Sequence, residues 1–321
     1  MKIGHSLVLA DASKMTEADW QALRHKSIGS SDTAAVMEMG RYGSPMEVWE
    51  TKTGRHTKDM NFAMSLGHVM EPVILDLASD ELGMTIEKPD LVLQHPTIPE
   101  MTCNLDGLAS NPYGEQAIVE AKHAGSYLKS QLEAWEENGV PPEGSATEGW
   151  WVQVQQQMAV SGIEKGYLAA LCDKRLFVIP VLRNGGFIKA MERDIPAWFK
   201  RHIVGDEQPE FTGNDGAVVE RLFPETDASE EDADMTPVSI PLARATAIKA
   251  QIKELKNELA VCEVQIKAQM GSSAAGFIDG EQVVTSKNVT RTSIDTKKLK
   301  AEYPEVADAC SKTSTSRRYT Y

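Results

Sequence analysis

The stretch from Asn104 to Lys122 constrains this chain more than any other. Ser110-Asn111-Pro112-Tyr113-Gly114 concentrates turn-forming residues between two short runs, Asn104 to Ala109 and Gln116 to Ala121, that read as strands. Two adjacent strands joined by a turn are the simplest reading. Such a hairpin sets Asp106 on one strand and Glu120 and Lys122 on the other, two apart and so on one face. Neighbouring carboxylates repel unless a cation lies between them, and a divalent ion with oxygen ligands fits the pair. A lysine beside it can orient or help deprotonate a water, or stabilise charge developing at phosphorus, as phosphodiester hydrolysis requires. The competing reading is a solvated strand edge with Glu120 and Lys122 as surface charges. Ile118-Val119 weighs against it, because a carboxylate following an apolar run must have its desolvation offset.

The hairpin lies inside a longer alternation of elements. Thr16 to Leu23 predicts a helix capped by Thr16, Asp32 to Met39 a second after the break at Gly29-Ser30-Ser31, and Ser44-Pro45 opens a third that stops at Gly54. His68 to Leu82 has helical spacing and ends at Gly83. Thr85 to Lys88 and Leu91 to Gln94 read as strands, Ser126 to Glu136 and Trp150 to Val160 as helices, Lys165 to Leu171 and Arg175 to Leu182 as strands, and Asp194 to Val204 as a helix. This order predicts an α/β (α+β) domain over residues 1–212, with a central mixed sheet flanked by helices.

Residues 213–241 carry Gly, Asp, Glu and Pro and read as an acidic linker, leaving 242–321 as a smaller C-terminal unit. In Leu242 to Ala268, the residues Ile248, Ile252, Leu255, Leu259, Cys262 and Ile266 recur every three or four positions. That helix can pair as a coiled coil or pack on the first unit. Phe277 to Val284 reads as a hairpin about Asp279-Gly280, Val289 to Ile294 as a further strand, and Thr296 to Ala309 as a helical segment interrupted at Pro304.

Composition narrows the class only partly. No apolar stretch is long enough to span a membrane, and the residues after Met1 do not form a signal-peptide core, so a cytoplasmic location is expected. Cys103, Cys172, Cys262 and Cys310 form no zinc-ligand spacing and are expected as free thiols. The net charge of -14 weighs mildly against a nucleic-acid partner. The charge is uneven, however. Glu225 to Asp234 carries six acids and no base, whereas Lys287 to the end carries eight bases and four acids. A cleft can be locally positive on an acidic protein.

Three further groups are candidates. Glu71 precedes the strands on a predicted helix and is placed to reach the same metal; an exposed helix acid is the plainer reading, and likewise for His68. Arg24-His25-Lys26 followed by Gly29-Ser30-Ser31-Asp32 offers cations, backbone amides and hydroxyls to a phosphate, or simply a helix cap. Gln153 and Gln157 share a helix face that suits a nucleic acid, or an ordinary polar surface.

Together these pieces resemble the YqaJ-type viral recombinase family, the lambda-exonuclease-like branch of the restriction-endonuclease-like, PD-(D/E)XK, nucleases. The resemblance runs over about residues 20–210. Its carriers are Ser27-Ile-Gly-Ser-Ser-Asp-Thr-Ala-Ala-Val36, Ser44-Pro-Met-Glu-Val-Trp-Glu-Thr-Lys-Thr-Gly54, Gly67-His-Val-Met-Glu71, Leu105-Asp106-Gly107, Val119-Glu-Ala-Lys122 and Val152-Gln-Val-Gln-Gln-Gln157. It extends more faintly to Thr290–Lys300 and Ser316–Tyr319, whose basic residues could contact DNA or simply be solvated.

The resemblance implies a restriction-endonuclease-like core with a C-terminal helical extension. It implies that Asp106, Glu120 and the Ala121 carbonyl hold Mg²⁺, with Mn²⁺ a plausible substitute, that Lys122 is the catalytic lysine, and that Glu71 is an upstream acid near the metal or the water. Arg24 and Ser31 would contact the phosphate at a DNA end, Arg41 more loosely, and Gln153 or Gln157 would share that pocket. The implied activity is degradation of duplex DNA from 5′ to 3′, yielding 3′ single-stranded overhangs for phage-type recombination. The implied partners are other copies of the chain, as a trimeric ring around the duplex, and a phage single-strand annealing protein. A metal-dependent endonuclease, a noncatalytic recombination scaffold and an assembly adaptor stay open as alternatives.

Overall fold

The structure, a computed structural model, describes residues 3–57, 60–226, 229, 232–313 and 317–321. Two compact units divide it, Met1–Arg221 and Leu222–Tyr321. The strands of the first are β1 (Leu7–Asp11), β2 (Ile28–Gly29), β3 (Thr85–Glu87), β4 (Leu91–Gln94), β5 (Met101–Cys103), β6 (Gly107–Ser110), β7 (Gln116–Ala124), β8 (Lys165–Cys172) and β9 (Arg175–Leu182). Its helices are α1 (Glu17–Arg24), α2 (Ser30–Val36), α3 (Pro45–Lys52), α4 (Phe62–Leu82), α5 (Lys129–Asn138), α6 (Ala146–Ser161), α7 (Gly185–Trp198) and α8 (Gly216–Leu222).

The larger sheet has the order β3-β6-β7-β8-β9. It is mixed: β7 and β8 run parallel, joined by a crossover through α5 and α6, and the other neighbours are antiparallel. A smaller sheet, β1-β4-β5-β2, shares the first unit. The chain leaves the smaller sheet for the larger through Asn104, Leu105 and Asp106, between β5 and β6. This is the mixed α/β arrangement, helices on a central sheet, of a restriction-endonuclease-like core.

The central strand β7 is buried on both faces, and its alternation decides which neighbour each residue meets. Ile118 joins the main core with Val152, Val154 and Met158 of α6. Ala117, Val119 and Ala121 join Ile74, Leu75 and Ala78 of α4 on the other face. Glu120 and Lys122 therefore continue the register that faces α6. The solvated-edge reading of Glu120 is overturned: β7 lies between β6 and β8, and Glu120 is fully buried.

Local chemistry sets the ends of the two flanking helices. Asn61 caps α4 through the Met64 N–H, and Gly83, at φ 62°, ends it in the left-handed region. The helix thus begins six residues before His68. Ser145 caps α6 through the Glu148 N–H, and Gly162 ends it at φ 73°. At the start of β6, Gly107 answers to packing. A Cβ there would lie 2.6 Å from Ile86 and 2.9 Å from Leu75, so the absent side chain lets α4 and β3 close on the residue after Asp106.

Other differences have physical causes. Asp106 precedes β6 instead of lying within it. α7 begins at Gly185, nine residues before Asp194, because the Asn184 side chain caps it through the Phe187 N–H despite two glycines in its first turn; it then runs into a wider-wound segment, Phe199–Val204. α8 forms inside the stretch that reads as linker. Its Val218 is buried with Met46 and Trp49, Arg221 pairs with Glu50, and the buried Asp215 accepts from Ser44.

The second unit holds the long helix α9 (Ser239–Met270), the hairpin β10 (Ala275–Ile278) and β11 (Glu281–Thr285), and the short helices α10 (Thr296–Glu302) and α11 (Pro304–Ala309). Val289 to Ile294 forms no strand; both end residues are exposed and no sheet edge pairs with them. Ser316 lies outside the described residues. Among the described residues no helix is long and apolar enough to cross a membrane.

Candidate active site

The site opens where β6 and β7 part. Their ladder ends at the pair Gly107–Val119, so the next β7 residues lose β6 as a neighbour while still pairing with β8. Asp106 occupies that gap and its Oδ2 accepts the Ala121 N–H at 3.0 Å. In a strand, the N–H and C=O of one residue project to the same flank. The Ala121 carbonyl is thereby on the Asp106 side.

On the α6 face, Lys122 Nζ donates to Glu120 Oε1 at 2.5 Å and to Gln153 Oε1 at 3.0 Å. Gln157 Nε2 donates to Glu120 Oε2 at 2.6 Å and to the Asn104 carbonyl at 3.2 Å. The sequence leaves open which glutamine shares the site; the structure uses both, one for the lysine and one for the carboxylate. A buried carboxylate with both oxygens hydrogen-bonded in this way is oriented, not merely tolerated.

Burial and the Glu120 charge push the Asp106 carboxyl up to about 8, against the opposing pull of Lys122 and the Ala121 N–H. Burial works to discharge Lys122, but the charges of Glu120 and Asp106 outweigh it and hold the ammonium above its ordinary range. A pair of acids that resists double ionisation is suited to a cation. Among the described residues no three His, Cys, Asp or Glu side chains cluster closely enough to form a metal site by themselves. The donors available are Asp106, Glu120 and the Ala121 carbonyl, and Gln157 Oε1 is buried without a partner beside them. That set fits Mg²⁺, which is commonly held by one or two carboxylates and keeps several waters.

The remaining candidates stand farther out. Glu71 is on α4, across the sheet from Glu120, and forms an ion pair with Lys88 at 2.6 Å. Its charge nevertheless acts on both Asp106 and Lys122. Ser31 is exposed in the first turn of α2. Because β2 runs parallel to β5, with Gly29 opposite Thr102, the start of α2 and the Asn104–Asp106 segment leave the same end of that sheet. Arg24 stacks on Trp20, 4.7 Å from its ring centre, and reaches Asp32 at 3.3 Å. Arg41 is exposed and acts electrostatically on Tyr127, just beyond the end of β7. Direct contacts thus join Glu120, Lys122, Gln153 and Gln157, while Asp106 is held beside them through the Ala121 N–H, and among the described residues none joins Glu71, Arg24, Ser31 or Arg41 to this group.

Two contributors lie in the segments that carry the family resemblance without being singled out there. Lys52, at the end of α3 and 2% exposed, pairs with Asp32 at 2.6 Å and donates to the Arg24 carbonyl at 2.8 Å. Gln156 is fully buried, donating to the Ile28 and Thr102 carbonyls and accepting from Thr33. It ties α2, β2 and β5 to α6.

Residues 19–164 match the model of the YqaJ-like viral recombinase domain, and every residue of the site falls inside that span. This stretch is thus similar to a YqaJ-like viral recombinase domain. Along nearly its whole length it is similar to YqaJ of Bacillus subtilis, at 29% identity over 97% of this chain and 96% of that protein. Among solved structures, it is similar to the alkaline exonuclease LHK-Exo of Laribacter hongkongensis, at 21% identity and a TM-score of 0.47, over 59% of this chain and 93% of that one. It is also similar to a putative exonuclease of Eubacterium rectale, at 11% identity and a TM-score of 0.44, over 70% and 98% of the two chains. The YqaJ-like match ends close to the start of β8, so β9, α7 and the second unit lie beyond it.

Proposed function

We propose that the YqaJ-like domain is a Mg²⁺-dependent exonuclease that degrades duplex DNA from 5′ to 3′ and leaves 3′ single-stranded overhangs. The observation that carries this reading is the convergence of Asp106, Glu120 and Lys122 at the open end of β7, with Gln153 and Gln157 holding two of them from α6. Pure DNA binding would not require two opposed acids in a buried strand gap.

Asp106, Glu120 and the Ala121 carbonyl would hold the ion. When bound, Mg²⁺ acidifies a water and neutralises charge on the scissile phosphate. The chain's own residues do the rest. Gln157 fixes the Glu120 carboxylate, and the Ala121 N–H fixes that of Asp106. Lys122, held as an ammonium, suits orientation of the water and stabilisation of phosphoryl charge better than removal of a proton. Arg24 and Ser31, at the end of the small sheet that leads to Asp106, would receive a terminal phosphate and so set the direction of degradation.

The test uses linear duplex DNA labelled separately at each 5′ and 3′ end, with Mg²⁺ or with EDTA, on wild type and Asp106→Ala. Progressive Mg²⁺-dependent loss from the 5′ ends, absent in the variant, is the expected result. Intact DNA under both Mg²⁺ and Mn²⁺ would overturn the nuclease reading. Cleavage of a closed circular duplex would show an endonuclease instead.

A further inference from the structure

The helix α9 spans 32 residues, about 48 Å at 1.5 Å per residue, and none of its side chains is buried. Ile248, Ile252, Leu255, Leu259, Cys262 and Ile266 are spaced four, three, four, three and four apart, an uninterrupted heptad seam. All six are exposed, the five aliphatic ones by 38–62%. Val261 and Val264 lie off the seam. A continuous apolar stripe of this length marks an association surface.

We propose that α9 pairs antiparallel with α9 of a second copy of this chain. The seam is self-complementary on reversal. Ile248 meets the partner's Ile266, Ile252 meets the partner's Cys262, and Leu255 meets the partner's Leu259, so one twofold axis generates every layer. The flanking charges select the direction. Reversal sets Lys249 beside the partner's Glu263 on both sides, with like contacts of Lys256 and of Glu258 confined to the region of the axis. A parallel pair would set Arg244 against the partner's Lys249 and Glu258 against the partner's Glu263, like charges with no attractive pair to offset them. Both charged residues would have to exchange exposed partners to serve. Glu263 holds only an exposed pair with Lys267 at 3.2 Å, and Lys249 lies at the helix flank over the Tyr321 ring, 3.3 Å from its centre.

Sedimentation equilibrium of the full chain tests the proposal. Wild type should associate in an even number of copies, and the pair Leu255→Glu with Leu259→Glu should weaken that association at least tenfold. The off-seam pair Val261→Glu with Val264→Glu should leave it unchanged, and circular dichroism checks that both remain helical. Direction is read from Lys249→Cys with Glu263→Cys in a Cys262→Ser background: oxidation should link position 249 of one copy to 263 of the other. A monomer at all concentrations, association indifferent to the seam variant, or links of 249 to 249 and 263 to 263 would overturn it.

Discussion

Gln157 Nε2 lies 2.6 Å from Glu120 Oε2, so the inner face of α6 holds the carboxylate of the central strand from the side opposite Lys122. Removing that donor leaves a fully buried charged acceptor short of one bond, at a cost of about 1–3 kcal/mol. Gln157→Leu should lower stability by that amount in urea denaturation. It should also weaken Mg²⁺ binding in a calorimetric titration, because the freed carboxylate is no longer fixed by α6. An unchanged Mg²⁺ affinity would show that Gln157 serves packing alone.

Asp106 gives the metal-free protein a pH dependence of unusual sign. Its carboxyl titrates at about 8 in the folded chain, against about 3.9 when unfolded. For a raised pKa, the stability from this group is fully present below the unfolded value and is lost as pH rises through about 8. In EDTA, the melting temperature of wild type should therefore fall more between pH 6 and pH 9 than that of Asp106→Asn, which keeps an acceptor for the Ala121 N–H. Mg²⁺ competes with the same proton, so its stabilising effect should grow over that interval and vanish in the variant. Parallel pH profiles for the two proteins would refute the assignment.

The elements around the site were legible where local chemistry and tertiary position agree. The turn residues 110–114 define the β6–β7 hairpin because they suit a turn whatever surrounds them. The strand-like neighbours of Asp106 predict it on a strand. The tertiary requirement for no side chain at Gly107, and the parting of β6 from β7, put it in the gap instead. Gln153 and Gln157 share a helix face, so spacing could not choose between them, and each proved to have a different partner. Glu71 sits on α4, on the other face of the sheet, and pairs with Lys88, yet its charge acts on Asp106 and Lys122. Spacing does not reveal the pairing of Lys52, because its partners, Asp32 and the Arg24 carbonyl, are distant in sequence.

Lys122 and Asp106 should separate chemistry from ion binding. Lys122→Met removes the ammonium yet leaves both acids and the Ala121 carbonyl. Loss of one preorganised charge stabiliser of this kind typically costs about 10²–10³ in rate. On end-labelled duplex, Lys122→Met should fall by that factor while still being stabilised thermally by Mg²⁺; Asp106→Ala should lose both properties. Near-normal degradation by Lys122→Met would remove the lysine from the mechanism.

The pair Asp32–Lys52 makes a prediction outside the metal site. Asp32 is held below the ordinary carboxylate range by Lys52 and Arg24 despite a burial that works to raise it, while burial dominates at Lys52 and lowers it. The pair is enclosed at 2.6 Å, with Lys52 also bound to the Arg24 carbonyl at 2.8 Å. Breaking such a pair by removing one member costs about 3–5 kcal/mol, whereas replacing both with apolar residues is often neutral. Lys52→Met should therefore destabilise the domain strongly in urea denaturation, and Lys52→Met with Asp32→Leu should recover much of the loss. The double variant should still degrade duplex DNA poorly if the pair's task is to position Arg24, since stability returns without the carboxylate that Arg24 meets at 3.3 Å. Full recovery of both stability and activity would reduce the pair to a structural element.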